Sequence, residues 1–99
     1  MAQIIWSEPA LIDLNNIAEF IALSNPTAAR ALVQKVIGKV ERLERFPKSG
    51  KIPSEISELG YREVLVSPCR VFYREQNEVV YIVHVCREER DLRKFLATN

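Results

Sequence analysis

Cysteine, histidine and long apolar runs are all scarce in this chain, and each scarcity closes a class of function. There are two cysteines, Cys69 and Cys86, and one histidine, His84. With no C-x-x-C pair and no second nitrogen ligand, a zinc site lacks donors, so neither a metal nor a cofactor is expected. Two isolated thiols suit a reducing compartment, and the expected location is cytoplasmic. The longest uninterrupted apolar run is Val79–Val83, far short of the roughly 20 residues that cross a bilayer. The amino terminus shows no basic segment followed by an apolar one, so neither a membrane span nor a secretory signal is expected. An excess of charge is missing too: 14 Lys and Arg stand against 13 Asp and Glu, a net charge of +1 with a pI near 7.8. Bulk nucleic-acid binders usually lie above a pI of about 9. No membrane partner and no sequence-specific nucleic-acid partner is expected.

Repeats, low-complexity tracts and linkers are also lacking, and residues 1–99 read as a single domain. A chain of this size buries about 65% of its surface on folding, enough for one core without staples. Its texture changes once, near residue 47, from helical to stranded. After a short apolar segment, Gln3 to Trp6, Ser7 can cap a helix whose first turn tolerates Pro9. Leu11, Leu14, Ile17, Ala18 and Ile21 recur at helical spacing, so the first helix runs from about Glu8 to Leu23. Asn25 and Pro26 start a second, whose stripe is Ala29, Leu32, Val33, Val36, Ile37, Val40 and Leu43 and which ends near Phe46, before Pro47. The tight connection folds the two into an antiparallel hairpin.

From Gly60 onward the runs are β-branched and aromatic: Tyr61 to Val66, Val71 to Arg74 and Val79 to Val85. They imply an antiparallel meander turning at Ser67-Pro68 and at Gln76-Asn77. The last run is nearly all apolar and belongs in the sheet interior, with the amino-terminal strand beside it. The expected fold is α+β with strand order 1-4-3-2, the helical hairpin on one face and a short terminal helix. Direction counting makes the last strand antiparallel to the first.

Chemistry would sit on the other face, where Arg62, Arg70, Arg74, Tyr81, Arg87 and Arg90 are the candidates. A two-residue second turn pairs Phe72 with Tyr81 and Arg70 with Val83, bringing Arg70, Arg74 and Tyr81 together. A two-residue first turn adds Glu63 to that face; a three-residue loop adds Arg62 and Val64 instead. A solvated face paired with Glu63, Glu75 and Glu78 accounts for the same arginines. His84 suits proton transfer near neutral pH, yet it lies in the most apolar strand with no evident nucleophile beside it, which favours a packed, hydrogen-bonded role. Cys69 and Cys86 come near each other across the meander, so a disulfide is geometrically open, though a reducing compartment disfavours it. Arg87, Arg90, Arg93 and Lys94 concentrate positive charge after the last strand, with Leu92 and Phe95 as apolar anchors. That segment is either a solvated terminal helix or a partner-docking element.

One ordered set of residues carries a family resemblance: Trp6-Ser7-Glu8-Pro9-Ala10 with Asp13-Leu14, Asn25-Pro26 with Ala28-Ala29, Phe46-Pro47 with Gly50, Arg62-Glu63, Arg70-Val71-Phe72-Tyr73-Arg74 and Arg90-Asp91-Leu92. In that order the chain resembles the RelE/ParE superfamily of type II toxin–antitoxin toxins over nearly its whole length. The resemblance implies the same fold and a small antitoxin partner, ParD-like or RelB-like. RelE-like members cut messenger RNA on the ribosome with basic side chains of the open face and a general acid or base near the carboxyl terminus; ParE-like members poison DNA gyrase.

Carried across, the RelE pattern puts its basic positions on Arg62, Val64 and Arg70 and its terminal catalytic positions near Glu88 and Lys94. Only Arg62 and Arg70 match. Attack by a ribose 2′-hydroxyl needs a base, stabilisation of phosphate charge and an acid for the leaving oxygen, and two arginines supply the middle part alone. Near-neutral charge also suits the ribosome poorly, because a protein entering it meets a dense field of phosphates. Cys69, where the family commonly has an aromatic residue, and Arg87, where ParE-like members often have histidine, are departures. The expectation is therefore a ParE-like toxin that traps gyrase without catalysis of its own. Its target contacts are expected at Arg87, Arg90, Arg93 and Lys94, with the antitoxin-binding residues left open. A ribosome-dependent endoribonuclease using Arg62 and Arg70 is the alternative, and an inactive antitoxin-binding relative a third.

Overall fold

The computed structural model describes residues 1–89. Strand β1 (Gln3–Trp6) leads into helix α1 (Glu8–Ala22) and helix α2 (Pro26–Glu41), and strands β2 (Arg62–Val66), β3 (Cys69–Gln76) and β4 (Val79–Arg87) follow. Both helices start where sequence logic puts them. Ser7 Oγ accepts from the Ala10 N–H at 3.1 Å, and Asn25 Oδ1 accepts from the Ala28 N–H at 3.0 Å, each satisfying a donor the helix itself leaves open. α2 stops at Glu41, earlier than its apolar stripe suggests, and a 3₁₀ turn at Arg42–Glu44 carries Leu43 into the core. A second 3₁₀ segment occupies Ser54–Leu59. Leu11 and Ile37, counted in the helical stripes, are exposed; Ala10, outside the first stripe, is buried, and Val36 of the second stripe is buried as expected.

The strands form one sheet in the order β1-β4-β3-β2, as expected. The direction of β1 differs from expectation: it runs parallel to β4, with Gln3 opposite Val79 and Trp6 opposite Ile82. The Ala2 N–H donates to the Glu44 carbonyl at 2.8 Å, so the helical hairpin delivers the chain to the end where β1 starts. β2 then leaves in the direction of β1, and two reversals give β4 that direction again.

The first turn is the two-residue Ser67-Pro68, whose peptide bond is cis, and Leu65 faces Arg70. The second turn is shifted by one residue from expectation, to Asn77-Glu78, both with positive φ (51° and 62°), as a type I′ hairpin turn requires. Arg74 therefore faces Tyr81, and a bulge between Phe72 and Tyr73 then sets Phe72 against His84 and Arg70 against Cys86. The expected pairs, Phe72 with Tyr81 and Arg70 with Val83, do not form.

The main core lies between the hairpin and the sheet, with Leu14, Leu32, Val36, Val40 and Leu43 packed against Val66, Val71, Tyr73, Val80 and Ile82. The opposite face is not open throughout. Ile56, from the 3₁₀ segment, packs on Phe72 and Cys86 with Tyr61 and Val83 around them. Cys69 belongs to the main core and Cys86 to this second cluster, so the two thiols sit on opposite faces of the sheet, which excludes a disulfide between them. Among the described residues no helix is long and apolar enough to cross a membrane.

Candidate functional site

Strand alternation turns Glu63, Arg70 and Phe72 to the face away from the helices. Arg70 is 8% exposed and Glu63 6%. Arg70 Nε donates to Glu63 Oε1 at 2.9 Å and Nη2 to Oε2 at 3.0 Å, a two-bond fork. The other edge of the guanidinium reaches Glu55, with Nη1 at 2.9 Å from Oε2 and Nη2 at 3.2 Å from Oε1. Its plane lies over the Phe72 ring, 5.1 Å from the centroid. Hydrogen bonds donated to Glu63 and then to Glu55 push the guanidinium pKa further above its ordinary range, and Arg70 stays charged. Glu55, with 48% of its side chain exposed, is held below the usual carboxylate range first by its hydrogen bonds from Arg70.

A cleft of about 420 Å³ opens beside this triad, lined by Lys51, Ser54, Glu55, Glu63, Leu65, Arg70 and Glu88. Three carboxylates there outnumber two cations. Such a cleft repels a phosphodiester, and Arg70 meets an incoming anion only by releasing Glu55.

The remaining candidates are dispersed. Arg62 does not line the cleft; its Nη1 donates to the Gly50 carbonyl at 2.9 Å and pins the loop before β2. Val64 packs against the main core. Arg74 lies over the Tyr61 ring at 4.4 Å, beside the exposed Tyr81. Arg74, Tyr81 and Arg70 do share a face, as expected. His84 Nδ1 lies 3.3 Å from Asp13 Oδ2, and the same oxygen accepts from the Val85 N–H at 3.0 Å. That bridge ties α1 to the β4 bulge, the packed role expected of His84. Burial raises the Cys69 thiol pKa, which keeps it an inert core group. Arg87, at the end of β4, reaches Glu89 (Nε to Oε1, 2.8 Å) and lies 5.7 Å from the Phe20 ring centroid. Arg90, Arg93 and Lys94, and with them the expected terminal helix, lie outside the described residues. No group of three or more potential metal ligands occurs among the described residues.

Strand, hairpin and mixed sheet come together in one known family. Residues 4–92 match the family model described as ParE toxin of type II toxin-antitoxin system, parDE. The chain belongs to the ParE toxin family. It is also 29% identical over 86 residues to the toxin RelE2 of Caulobacter vibrioides, an alignment that spans 86% of this chain and 93% of that protein. A structure titled as the chromosomal ParDE toxin–antitoxin system from P. aeruginosa superposes with a TM-score of 0.75 at 25% identity, covering 90% of this chain and 98% of that one. The RelBE2 toxin–antitoxin complex from Mycobacterium tuberculosis shares the fold, with a TM-score of 0.58 at 22% identity over 88% of this chain and 98% of that one.

Glu55 is the member of the triad that sequence reasoning missed. It stands in a connection with no periodic pattern, 15 residues from Arg70, and no local signal marks it. Tyr73 was legible only as an apolar strand residue. Its hydroxyl accepts from the Gly50 N–H and donates to the Pro47 carbonyl, both at 2.8 Å, and so fixes the loop that walls the cleft.

Proposed function

We propose that this ParE-family toxin acts by binding DNA gyrase, without nuclease chemistry of its own, and that a small ParD-like or RelB-like antitoxin keeps it silent. The observation that carries the reading is the state of Arg70. A ribonuclease needs an open-face arginine free to meet a phosphate, and here both edges of the guanidinium are occupied by Glu63 and Glu55. The acidic balance of the cleft supports the same reading, as does the position of Arg62, which is committed to the Gly50 carbonyl. Glu88 is the one further candidate acid or base in the cleft, and it would act beside two more carboxylates, where a phosphate is repelled.

Target binding then falls to Arg87 and to the basic residues after it, Arg90, Arg93 and Lys94. Four cations close together steer a protein toward an acidic protein surface or enzyme-bound DNA, while Leu92 and Phe95 supply apolar anchoring. The doubly substituted Arg90→Glu, Lys94→Glu protein should keep its melting temperature and its antitoxin but lose inhibition of supercoiling. Unchanged inhibition in that protein would put the gyrase contact elsewhere. The ParDE and RelBE2 assemblies of the structural relatives support the antitoxin partner. Coexpression with the small protein encoded beside this chain should yield a copurifying complex, and separate elution at micromolar concentration would refute that part.

A further inference from the structure

Arg74 and Tyr81 stand outside the acidic cleft, yet the sheet aligns them. β3 sets Arg74 directly opposite Tyr81, and β1 sets Ile5 beside Tyr81 on its other flank. Tyr61, the residue before β2, completes the line, with the Arg74 guanidinium 4.4 Å from its ring centroid. The four side chains form one row, Tyr61-Arg74-Tyr81-Ile5, which crosses the sheet over about 14 Å, three interstrand spacings. Ile4, Trp6, Val80 and Ile82 pack into the main core, so strand alternation turns Ile5 and Tyr81 outward. Ile5 is 38% exposed and Tyr81 39%, both large apolar bodies left to solvent.

The row is held from beneath. The Tyr61 ring packs on the Ile56 cluster and meets Phe72 edge to face, 6.4 Å between centroids at 70°. With Arg74 laid over that ring, neither side chain has much freedom left to lose on binding. No carboxylate among the described residues pairs with Arg74, so its fixed donor fork is kept for an outside acceptor. Two residues along each strand, the same face carries Gln76, Val79 and Gln3, both glutamines exposed. An aromatic and arginine centre with a polar rim is the composition of a protein-binding hot spot.

We propose that this row is a contact for a folded target protein, which seats an exposed carboxylate on Arg74 and apolar side chains on Tyr81 and Ile5. The inference rests on the reading that this toxin acts by binding gyrase, and it gives that binding a second surface besides the cations after β4. Peptide tails dock in grooves or along sheet edges; a row across the strands offers neither and fits the surface of a folded protein. A nucleic-acid strand needs several phosphate contacts and open rings for its bases. Here the row holds one cation, and that cation already covers Tyr61. A second copy of this chain laid face to face brings Arg74 no carboxylate from the matching row.

The test uses the purified full chain freed of antitoxin, with binding to immobilised gyrase and inhibition of supercoiling read in parallel. Arg74→Glu should weaken binding about tenfold or more and raise the inhibitory concentration to match. Arg74→Gln, checked for an unchanged melting temperature, answers the question if the reversal fails to fold, with a smaller loss in both readouts. Tyr81→Ser should also weaken both. Lys35→Glu removes the same charge from α2, on the other side of the sheet, and should leave both at the parent's level. A parent that binds and inhibits gyrase, with Arg74 and Tyr81 variants that do so equally well, overturns the proposal alone. A parent that does neither overturns the gyrase reading and the proposal with it. Tight binding of a single-stranded oligothymidylate, lost in the same variants, overturns the proposal too, because the row is then a base-stacking platform.

Discussion

At the scale of the residue, Arg70 and its two carboxylates set both stability and chemistry. Glu63 is buried and ion-paired to Arg70, so Arg70→Ala strands its charge and should cost about 3 kcal/mol in urea denaturation. Replacing both members, Arg70→Met with Glu63→Leu, should recover most of that loss, since an apolar pair of similar volume avoids the desolvation of two charges. Equal losses in the single and double variants would contradict the ion-pair account. Glu55 contributes differently, because its pKa is depressed in the folded state from an ordinary value of 4.5. The unfolded chain takes up the proton first as pH falls. Its stabilisation is therefore present above about pH 4.5 and lost as pH drops through the lower folded value. Melting temperature should fall more steeply between about pH 5 and pH 3 in the parent than in Glu55→Gln, and parallel curves would show that Glu55 adds nothing. Strand alternation placed Arg70 on the open face and Glu63 beside it only for a two-residue first turn, the register that Ser67-Pro68 adopts. Glu55 could not be placed, because a segment without period leaves its reach to tertiary packing.

At the scale of the element, the caps and the first turn were read correctly, the second turn and one strand direction were misread, and the bulge was not legible. Ser7 and Asn25 satisfy local donors, so chain order suffices to find them. The second turn was misplaced by one residue because Asn77 was read as the second turn residue, whereas it occupies the first position and Glu78 the second. Glu78 at φ 62° holds a left-handed backbone without glycine. Glu78→Gly should raise stability by about 0.5–1 kcal/mol in thermal unfolding, and a fall would mean that the side chain itself stabilises the turn. The extra β4 residue near Val83 leaves no trace in the hydrophobic pattern, because it sits inside the unbroken apolar run Val79–Val83. The parallel pairing of β1 with β4 was within reach of the sequence: the hairpin returns the chain to the end where β1 starts, as the contact between Ala2 and Glu44 shows, and three alternating strands from that end finish in the direction of β1, so the antiparallel expectation miscounted the reversals.

At the scale of the whole molecule, the surfaces divide by charge. The cleft beside Arg70 is acidic in balance, and the cations Arg87, Arg90, Arg93 and Lys94 cluster at and after the end of β4 in sequence. Such polarity suits a protein that docks on other macromolecules through distinct faces, and it opposes catalysis on a polyanion at Arg70. The most direct test uses the toxin freed of any antitoxin, assayed against two targets in parallel: supercoiling by purified gyrase, and messenger RNA on translating ribosomes. The account expects supercoiling to stop and the messenger RNA to remain whole. Codon-dependent cleavage of the message, with supercoiling untouched, would contradict it.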